Sequence, residues 1–313
     1  MDAPKLIIQK LDIPQDRRLI AISDIHGELD LFKSLLEKVS FCDDDILVIL
    51  GDFYLKGSQP EPCFHYVMEL AKRPNVHVLR GNCDWGRADF YTDEMWDWVC
   101  GLPIIIESDD FIFVHAGLEN KPLDQQDVIK CLTTPNFMGS YDGEPFEKWV
   151  IVGHWPTVNY RNIFPCYNIL FNDCMRIIDI DGGAGVKKEG QLNALIIKNG
   201  DFECVSVDAF PVMVMEREQT AHGDVLTITW NDRFVDILEE REEFTKVCHL
   251  ESGYILEVPT EEIWQDEEGR NCVCNKATDF YLPVKAGEEV SVIATYSNKI
   301  FARKDGLAGW VNL

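Results

Sequence analysis

Five short apolar runs in this sequence each stop at polar side chains able to bind a metal ion. The first run, residues 18–23, is followed by Asp24-Ile25-His26-Gly27. Successive side chains of an extended chain alternate between faces, so Asp24 and His26, two apart, can point toward one place. A carboxylate oxygen and an imidazole nitrogen held together suit a divalent transition metal. One such pair arises readily by chance, so its meaning depends on the runs that follow.

The same pattern recurs along the chain. Four later apolar runs are each followed by another potential ligand, and they span residues 45–50, 76–79, 111–114 and 149–152. The ligands that follow them are, in order, Asp52, Asn82, His115 and His154. Continuous apolar runs of this length, bounded by turn residues, predict strands that are buried on both faces. We therefore expect all of these ligands to lie at strand ends.

Helices are predicted between the first strands. Apolar residues recur at helical spacing over residues 28–39 and 62–72, and more weakly over 123–132. Residues 167–207 show mostly strand patterns, with Asn199-Gly200 as a two-residue hairpin turn. Strands that alternate with helices and then become antiparallel predict an α/β fold, with two packed sheets and the helices outside them.

The chemistry of the strand-end residues points to two metal ions. Two carboxylates, three imidazoles and one amide suit two manganese, iron or zinc ions that share one bridging carboxylate. If the imidazoles are neutral, four positive charges meet two negative ones, which leaves about +2 to attract a phosphate group. The sequence therefore predicts a centre that attracts phosphate.

Length and composition limit the class of protein. A chain of 313 residues accommodates a catalytic domain and a smaller one, which we place at residues 1–210 and 211–313. The formal charge of −25 disfavours nucleic acid and anionic membranes as partners, because both attract Lys and Arg. The 11 cysteines lack metal-finger spacing, and neither a signal peptide nor a membrane-spanning apolar run is present. A cytoplasmic protein with reduced thiols is expected.

The C-terminal domain is predicted to be small, acidic and mostly β. Short strand patterns at residues 225–230 and 254–258 are separated by acidic stretches. The end of the chain, from Leu282 to Val311, resembles a small β-barrel of the bacterial Src-homology-3 type, chiefly through Gly306-x-x-Gly309-Trp310-Val311. We expect this domain to be a candidate binding surface for a protein partner.

The strand-end motifs together resemble those of a known superfamily. Asp24-Ile25-His26-Gly27, Gly51-Asp52, Gly81-Asn82, His115-Ala116-Gly117 and Gly153-His154 are similar to the motif series of the calcineurin-like metallophosphoesterases. His-Ala-Gly and Gly-His-Trp are most similar to the bacterial phosphoprotein phosphatases, a branch that includes symmetrical diadenosine tetraphosphatases. The resemblance covers roughly residues 18–208 and implies a four-layer α/β/β/α sandwich.

The resemblance also implies a role for each ligand. Asp24 and His26 would hold the first ion, a second would be held by Asn82, His115 and His154, and Asp52 would bridge the two. The expected cofactors are two divalent ions, with manganese favoured over iron and zinc. In such a site a hydroxide shared by the two ions attacks phosphorus, and the ions neutralise charge on the phosphoryl oxygens.

Two positions depart from the family pattern. Family phosphatases have a histidine that protonates the leaving oxygen, where this chain has Cys83, and an aspartate that pairs with it, where this chain has Leu55. Because both partners are replaced, no buried charge is left unpaired. Lys56 takes the place of an arginine that grips phosphate, and Arg80 is a second candidate for phosphate contact. The glycine-rich residues 181–185 predict a turn near the site.

We expect a phosphomonoesterase that resembles serine/threonine protein phosphatases, acting on a phosphoprotein or a small phosphoester. Some bacterial phosphodiesterases of the superfamily also read Gly-Asn-Cys-Asp, so a phosphodiesterase or a diadenosine tetraphosphatase is the alternative within enzymes. A weakly active metal-binding scaffold, whose C-terminal domain binds a partner, is the alternative of another class.

Overall fold

A computed structural model describes residues 4–221 and 226–313 of the chain, which divide into two compact units. The first unit consists of residues up to Thr157 together with Ile169–Asp208. The second consists of Val158–Asn168 and Ala209–Leu313. The sequence predicts a boundary after residue 210, and in this division the segment Val158–Asn168 groups with the second unit.

The first unit contains eleven strands and five α-helices among its described residues. The strands are β1 (Ile8–Lys10), β2 (Leu19–Ile22), β3 (Ile46–Ile49), β4 (Val76–Val78), β5 (Ile105–Glu107), β6 (Phe111–Val114), β7 (Trp149–Val152), β8 (Leu170–Asn172), β9 (Ile177–Asp179), β10 (Leu192–Lys198) and β11 (Asp201–Val207). The helices are α1 (Leu29–Lys38), α2 (Pro60–Leu70), α3 (Asp93–Gly101), α4 (Val128–Thr133) and α5 (Phe137–Ser140).

These strands form two sheets. One sheet has the order β1-β5-β6-β7-β9-β8, and the other has the order β11-β10-β2-β3-β4. Strands β2, β3 and β4 run parallel, as do β6, β7 and β9. Parallel neighbours place their carboxyl ends at the same edge of a sheet, so the residues after β2, β3 and β4 share one edge. The residues after β6 and β7 share an edge of the other sheet.

Alternating side chains of the strands build three separate cores. In β2, Leu19 and Ala21 pack with residues of the sheet that contains β6 and β7, such as Phe113 and Ile151. Ile20, on the opposite face of β2, packs with residues of α1 and α2. The other face of the sheet that contains β6 and β7 packs against α4 and α5, and this core includes Ile112, Val114, Val150, Leu132 and Phe137. Three cores between four layers give an α/β/β/α sandwich, and the predicted fold class is confirmed.

Local chemistry sets the helix ends. Helix α1 buries Phe32 and Leu35 and has Asp30 in its first turn, where the helix dipole favours an anion. Helix α2 begins with Pro60 in its first turn, two residues earlier than the apolar spacing indicates, because proline is suited to a position whose N–H has no partner. Asn199 and Gly200 both have positive φ, of 54° and 84°, and form the predicted hairpin turn.

Some predicted strands are displaced or missing. The strand predicted at residues 167–170 is found instead at β8, because the N–H of Tyr167 donates to the carbonyl of Gly306 in the second unit. The strand predicted at residues 225–230 begins at Val225, which lies outside the described residues, and Thr227 forms only an isolated bridge with Thr278.

The second unit consists of short antiparallel sheets. Its strands are β12 (Val212–Val214), β13 (Val235–Glu239), β14 (Phe244–His249), β15 (Ile255–Pro259), β16 (Trp264–Gln265), β17 (Asn271–Cys272), β18 (Glu289–Thr295), β19 (Lys299–Lys304) and β20 (Leu307–Asn312). They pair in the orders β12-β18-β19-β20, β13-β14-β15 and β16-β17. The predicted small β domain is confirmed, while its relation to a Src-homology-3 barrel stays a prediction.

Trp310 lies at the centre of one core of this unit. It is 1 % exposed, and its indole N–H donates to the carbonyl of Thr278 at 2.8 Å. Val158 and Tyr167, both fully buried, belong to the same core. The segment that contains them is therefore an integral part of the second unit.

In the part of the chain that the structure describes, no helix has both the length and the apolar character needed to span a bilayer.

We predict that Leu35→Ala destabilises the first unit by about 2–5 kcal/mol, because it removes a fully buried side chain from the core between α1 and its sheet. Denaturant unfolding monitored by circular dichroism measures the loss. Leu31→Ala, on the half-buried side of the same helix, is the matched control, and equal losses from the two variants would contradict the packing described here.

Candidate metal centre

The predicted ligands follow neighbouring strands of the two sheets. They are Asp24 and His26 after β2, Asp52 after β3, Asn82 after β4, His115 after β6 and His154 after β7. The contacts described below connect all six side chains. The structure therefore brings the whole predicted ligand set together at the carboxyl ends of the parallel strands.

The ring of His26 is oriented by a backbone carbonyl. Its Nδ1 lies 3.0 Å from the carbonyl oxygen of Leu55, which can only accept a hydrogen bond, so Nδ1 carries the proton. In the neutral ring Nε2 is then unprotonated. It lies 3.4 Å from Oδ1 of Asp24 and 3.7 Å from Oδ2 of Asp52. A buried nitrogen lone pair therefore faces two carboxylates.

His115 is oriented in the same way. Its Nδ1 lies 2.8 Å from the carbonyl oxygen of Leu50, so its Nε2 is the unprotonated nitrogen of the neutral ring. That Nε2 lies 2.9 Å from the Asn82 amide and 3.5 Å from Oδ1 of Asp52. Nδ1 of His154 lies 2.8 Å from the same amide. Three side chains thus converge on one place beside Asp52.

Asp52 lies between the two groups of ligands. Its Oδ2 is the oxygen nearer His26, and its Oδ1 is the oxygen nearer His115. The side chain is held by the backbone N–H of Cys83, which donates to Oδ1 at 2.8 Å. A bridging ligand requires a position of this kind between the groups, and the bridging role of Asp52 stays a prediction.

These residues fit a pair of divalent cations. In the neutral rings, lone pairs of His26 and His115 face carboxylate oxygens in a buried site, an arrangement that needs positive charge between the groups, supplied by protons on the imidazoles or by metal ions. Backbone carbonyls that bind the remote nitrogen of each imidazole are the usual outer support of metal-binding histidines. An Asp, His and Asn donor set is suited to manganese, iron or zinc. His26, Asp24, Asp52 and Asn82 with His115 and His154 would hold the ions.

The pKa values of the three histidines are shifted by burial and by the charges of their neighbours. Burial opposes a charge on His26, but its hydrogen bond to Asp24 and the charge of Asp52 outweigh this effect and raise its pKa. Burial likewise opposes a charge on His115, whose pKa is nevertheless raised by Asp52 and Asp24. His154 differs, because burial and the neighbouring His115 lower its pKa to about 4. The carboxylates make this place favourable for positive charge.

The backbone at the site is held in an unusual conformation. Asp24, His26, Asp52 and His154 all have left-handed φ values, of 52°, 48°, 50° and 69°. Residues other than glycine seldom adopt this region, and such strain concentrates at functional sites where the surrounding structure enforces it. Four of the six predicted ligands therefore depend on the fold to keep them in place.

The glycines of two motifs allow the close approach of the carboxylates. A Cβ atom on Gly81 would overlap Oδ1 of Asp52, and one on Gly153 would overlap Ser23 and Oδ2 of Asp24. Asp24 itself accepts hydrogen bonds from the hydroxyl of Ser23 and, at 2.8 Å, from the backbone N–H of His154. The glycine before Asn82 and the one before His154 are thus needed for packing at the centre.

Asp84 is a buried residue that the sequence analysis did not select. Its Oδ2 accepts the backbone N–H groups of Asp52 at 2.7 Å and Gly81 at 2.8 Å, and so joins the loops that follow β3 and β4. Burial and the charge of Asp52 raise the pKa of Asp84 to about 7. Its place two residues after Asn82 was the available signal, but sequence alone does not show which backbone groups a carboxylate contacts.

Arg80 lies beneath the same loop. It is 4 % exposed, and its guanidinium donates to the carbonyls of Asp84 and Trp85 at 3.4 and 3.3 Å while lying over the ring of Trp96. This arrangement favours a role in positioning the loop. Contact of Arg80 with phosphate stays a prediction.

The remaining predicted residues lie around the centre. Lys56 is exposed, and its charge makes a small unfavourable contribution to a positive charge on His26 and His154. Leu55 is half-buried and packs against the apolar core beside α1 and α2. Cys83 is half-buried, and burial together with Asp52 raises the pKa of its thiol. The structure thus has an apolar side chain and a thiol where family phosphatases have an acid pair.

Asp181 is a further buried carboxyl near the ligands. It follows β9, is 1 % exposed and accepts the N–H of Gly183 at 2.7 Å. Burial and the charge of Asp24 raise its pKa to about 8. The residues 181–185 form the turn that the sequence analysis placed near the site, but the burial of Asp181 was not foreseen because the turn pattern does not report it.

The second unit contains a smaller cluster formed by Asp232, His249 and Glu251. Both ring nitrogens of His249 already have partners, since Nδ1 lies 2.8 Å from the hydroxyl of Ser252 and Nε2 lies 2.7 Å from the carbonyl of Asp232. These two hydrogen bonds explain the position of His249 without a metal ion.

A four-layer sandwich with His, Asp and Asn ligands at its strand ends defines a metal-dependent hydrolase. A family profile described as calcineurin-like phosphoesterase matches residues 17–170. This chain therefore contains a calcineurin-like metallophosphoesterase domain, and it is a hydrolase that acts on phosphoester bonds. The family depends on two metal ions. The resemblance and the prediction of an enzyme are both confirmed.

Solved structures with a similar fold include a proposed diadenosine tetraphosphatase, with a TM-score of 0.51 and 20 % identity, over 64 % of this chain and 98 % of that one. A serine/threonine phosphatase from Saccharomyces cerevisiae, similar to human phosphatase PP5, gives a TM-score of 0.47 at 12 % identity, over 67 % and 85 % of the two chains. A metallophosphoesterase from Sphaerobacter thermophilus gives a TM-score of 0.40 at 18 % identity, over 61 % of this chain and 88 % of that one. Comparison with curated proteins gave no significant match.

We predict that Asp84→Ala weakens binding of divalent metal about 10- to 100-fold, because it frees the two loops whose ligands Asp84 orients. Isothermal titration calorimetry with Mn²⁺ or Zn²⁺ measures the affinity, and circular dichroism checks the fold. Asp89→Ala, at an exposed aspartate farther along the same loop, is the control. Equal affinity in both variants would exclude the positioning role of Asp84.

Proposed function

We propose that this chain hydrolyses phosphomonoesters in the manner of serine/threonine protein phosphatases. The observation that supports this proposal is the convergence of five other buried or half-buried ligands around Asp52. With neutral imidazoles and two carboxylates, two divalent ions leave a net charge of about +2 at the centre. A phosphomonoester dianion is the substrate that matches this charge.

The roles of the protein side chains follow from their positions. Two divalent ions held by this donor set would supply a hydroxide from water and neutralise charge on the phosphoryl oxygens. Lys56 would hold a phosphoryl oxygen as a single point charge. In residues 4–221 and 226–313 no hydrogen bond or ion pair engages the Lys56 side chain, so its ammonium is available to a ligand. Manganese, iron and zinc all suit the donors.

Protonation of the leaving group is the step for which the two family residues are replaced in this chain. A positioned general acid contributes about 10²- to 10⁴-fold to a phosphatase that needs one. Leu55 cannot take part in proton transfer, and Cys83 stands where family phosphatases have the histidine that acts as the general acid. We therefore expect fast turnover of esters with weakly basic leaving groups, such as aryl phosphates, and slow turnover of alkyl phosphates.

The same two residues favour a second candidate function. When diadenosine tetraphosphate is hydrolysed, the leaving group is a nucleotide whose phosphate oxygen is weakly basic and departs without a proton donor. Hydrolysis of diadenosine tetraphosphate, or of a diester with an aryl leaving group, therefore tolerates Leu55 and Cys83 better than hydrolysis of a phosphoserine does. The similarity of fold to a proposed diadenosine tetraphosphatase is consistent with this alternative.

A panel of four substrates separates these functions. With added Mn²⁺ we predict turnover of p-nitrophenyl phosphate above that of bis-p-nitrophenyl phosphate, diadenosine tetraphosphate and a serine phosphopeptide, because the monoester combines a dianion with a good leaving group. Release of nitrophenol or phosphate and separation of nucleotides by chromatography give the rates.

Preferred cleavage of diadenosine tetraphosphate or of the diester would replace the first proposal with the second. If metal analysis finds divalent ions bound and none of the four compounds is cleaved, both substrate proposals fail.

We predict that Cys83→His combined with Leu55→Asp raises turnover of an alkyl phosphomonoester about 10²-fold or more, because the pair restores a general acid. The ratio of alkyl to aryl phosphate turnover is the measurement, since an acid helps the more basic leaving group. Cys83→Asn with Leu55→Asn is the matched control, being polar but without a titrating group. An unchanged ratio in the His/Asp variant would show that leaving-group protonation does not limit this enzyme.

A further inference from the structure

The thiol of Cys83 lies beside the ligands of the first ion. Its Sγ, a ring nitrogen of His26 and a carboxylate oxygen of Asp52 all lie within 4.8 Å of one another. This is the spacing of atoms that can bind a single ion, and it matches the spacing within the second group, Asp52, His115 and His154. The centre thus contains a sulfur donor on one side only.

The backbone fixes this position of the sulfur. The N–H of Cys83 donates to Oδ1 of Asp52 at 2.8 Å, and Cys83 begins a short 3₁₀ turn, Cys83–Trp85. Asp84 in that turn binds the backbone of Asp52 and Gly81, and Arg80 donates to the carbonyl of Asp84. Two hydrogen bonds therefore join the turn to Asp52, and two more hold the turn to the residues that precede it. The backbone of the turn in this way sets the position of Cys83.

The surroundings of Cys83 differ from those of the cysteines that fill space. Cys63 and Cys131 are fully buried among apolar side chains in the two outer cores. Cys83 is half-buried, and its neighbours are the carboxylate of Asp52 and the amide of Asn82, whose Nδ2 lies 3.6 Å from Sγ. A small apolar residue would fill the same space but would provide no donor atom. The buried Nε2 of His26, which faces the same place, is a second donor aimed at it.

We propose that Cys83 Sγ is a ligand of the first metal ion together with Asp24, His26 and Asp52, an inference that rests on the dinuclear site of the proposed function. The sulfur binds as a thiolate, and its proton passes to solvent when the ion binds, so the net charge of the occupied centre is about +1 rather than the about +2 that the carboxylates alone give. Thiolate donors favour zinc or ferrous iron, whereas manganese prefers oxygen ligands. The first position therefore selects a thiophilic ion.

The two positions consequently have different preferences. The second group contains only nitrogen and oxygen donors, from Asp52, Asn82, His115 and His154. It does not share the sulfur and accepts a wider range of ions. A protein given both zinc and manganese would hold zinc at the first position and either ion at the second.

Cobalt substitution tests the sulfur ligand directly. The full-length chain is loaded with Co²⁺ in the absence of other metals, and its absorption spectrum is recorded against the number of ions bound. We expect a near-ultraviolet thiolate-to-cobalt charge-transfer band that saturates with the first ion. Cys83→Ser removes this band while visible cobalt bands remain, and Cys100→Ser, at an exposed cysteine of the same unit, retains it.

A measurement on the unaltered protein keeps the test independent of how the variant folds. X-ray absorption at the zinc edge of the zinc-loaded chain is expected to show one sulfur neighbour at about 2.3 Å in a one-zinc sample. A competition titration adds a third readout, in which Cys83→Ser reduces the preference for Zn²⁺ over Mn²⁺ by about 10-fold or more.

The outcomes separate this inference from the proposed function. Cobalt or zinc that binds, supports phosphoester hydrolysis and shows no sulfur neighbour would overturn the role of Cys83 and leave the proposed function intact. A charge-transfer band that persists in Cys83→Ser would also overturn it, because the sulfur would then come from another cysteine. Failure of any form to take up divalent metal would overturn both.

Discussion

The position of the Asp52 carboxylate determines the geometry of the whole centre. One oxygen lies toward His26 and the other toward His115, so any rotation of this side chain disturbs both groups of ligands. Its orientation depends on the backbone of Cys83 and on Asp84, which holds the N–H of Asp52. Because Asp52 also has a left-handed φ of 50°, the loop after β3 is stable only with these contacts in place.

Backbone carbonyls complete the arrangement. The carbonyls of Leu50 and Leu55 flank Asp52 in sequence, and they bind Nδ1 of His115 and His26 respectively. A single loop therefore supplies the bridging carboxylate and sets the protonation of two imidazoles. This explains how a short motif, Gly51-Asp52, has a large effect on a site drawn from five strands. Side-chain substitution cannot remove these two carbonyl contacts.

Much of this fold was predictable because buried parallel strands have a simple pattern. Residues 111–114 and 149–152 are strands with the predicted bounds, and the ligands after them lie where the motifs indicate. The pattern failed where contacts distant in sequence decide the structure. Tyr167 was expected in a strand of the first domain, but a pairing with Gly306 places it elsewhere. Asp84 and Asp181 were missed because sequence periodicity reports neither burial nor backbone partners.

The segment Val158–Asn168 has a consequence for how this chain can be divided. It lies between two parts of the first unit, yet Val158 and Tyr167 are fully buried in the second, where Arg303 lies over the Tyr167 ring. A fragment that ends near residue 210 would therefore keep these apolar side chains and lose their surroundings. The first unit is therefore discontinuous in sequence. The C-terminal region is needed to bury the apolar side chains of the segment that interrupts it.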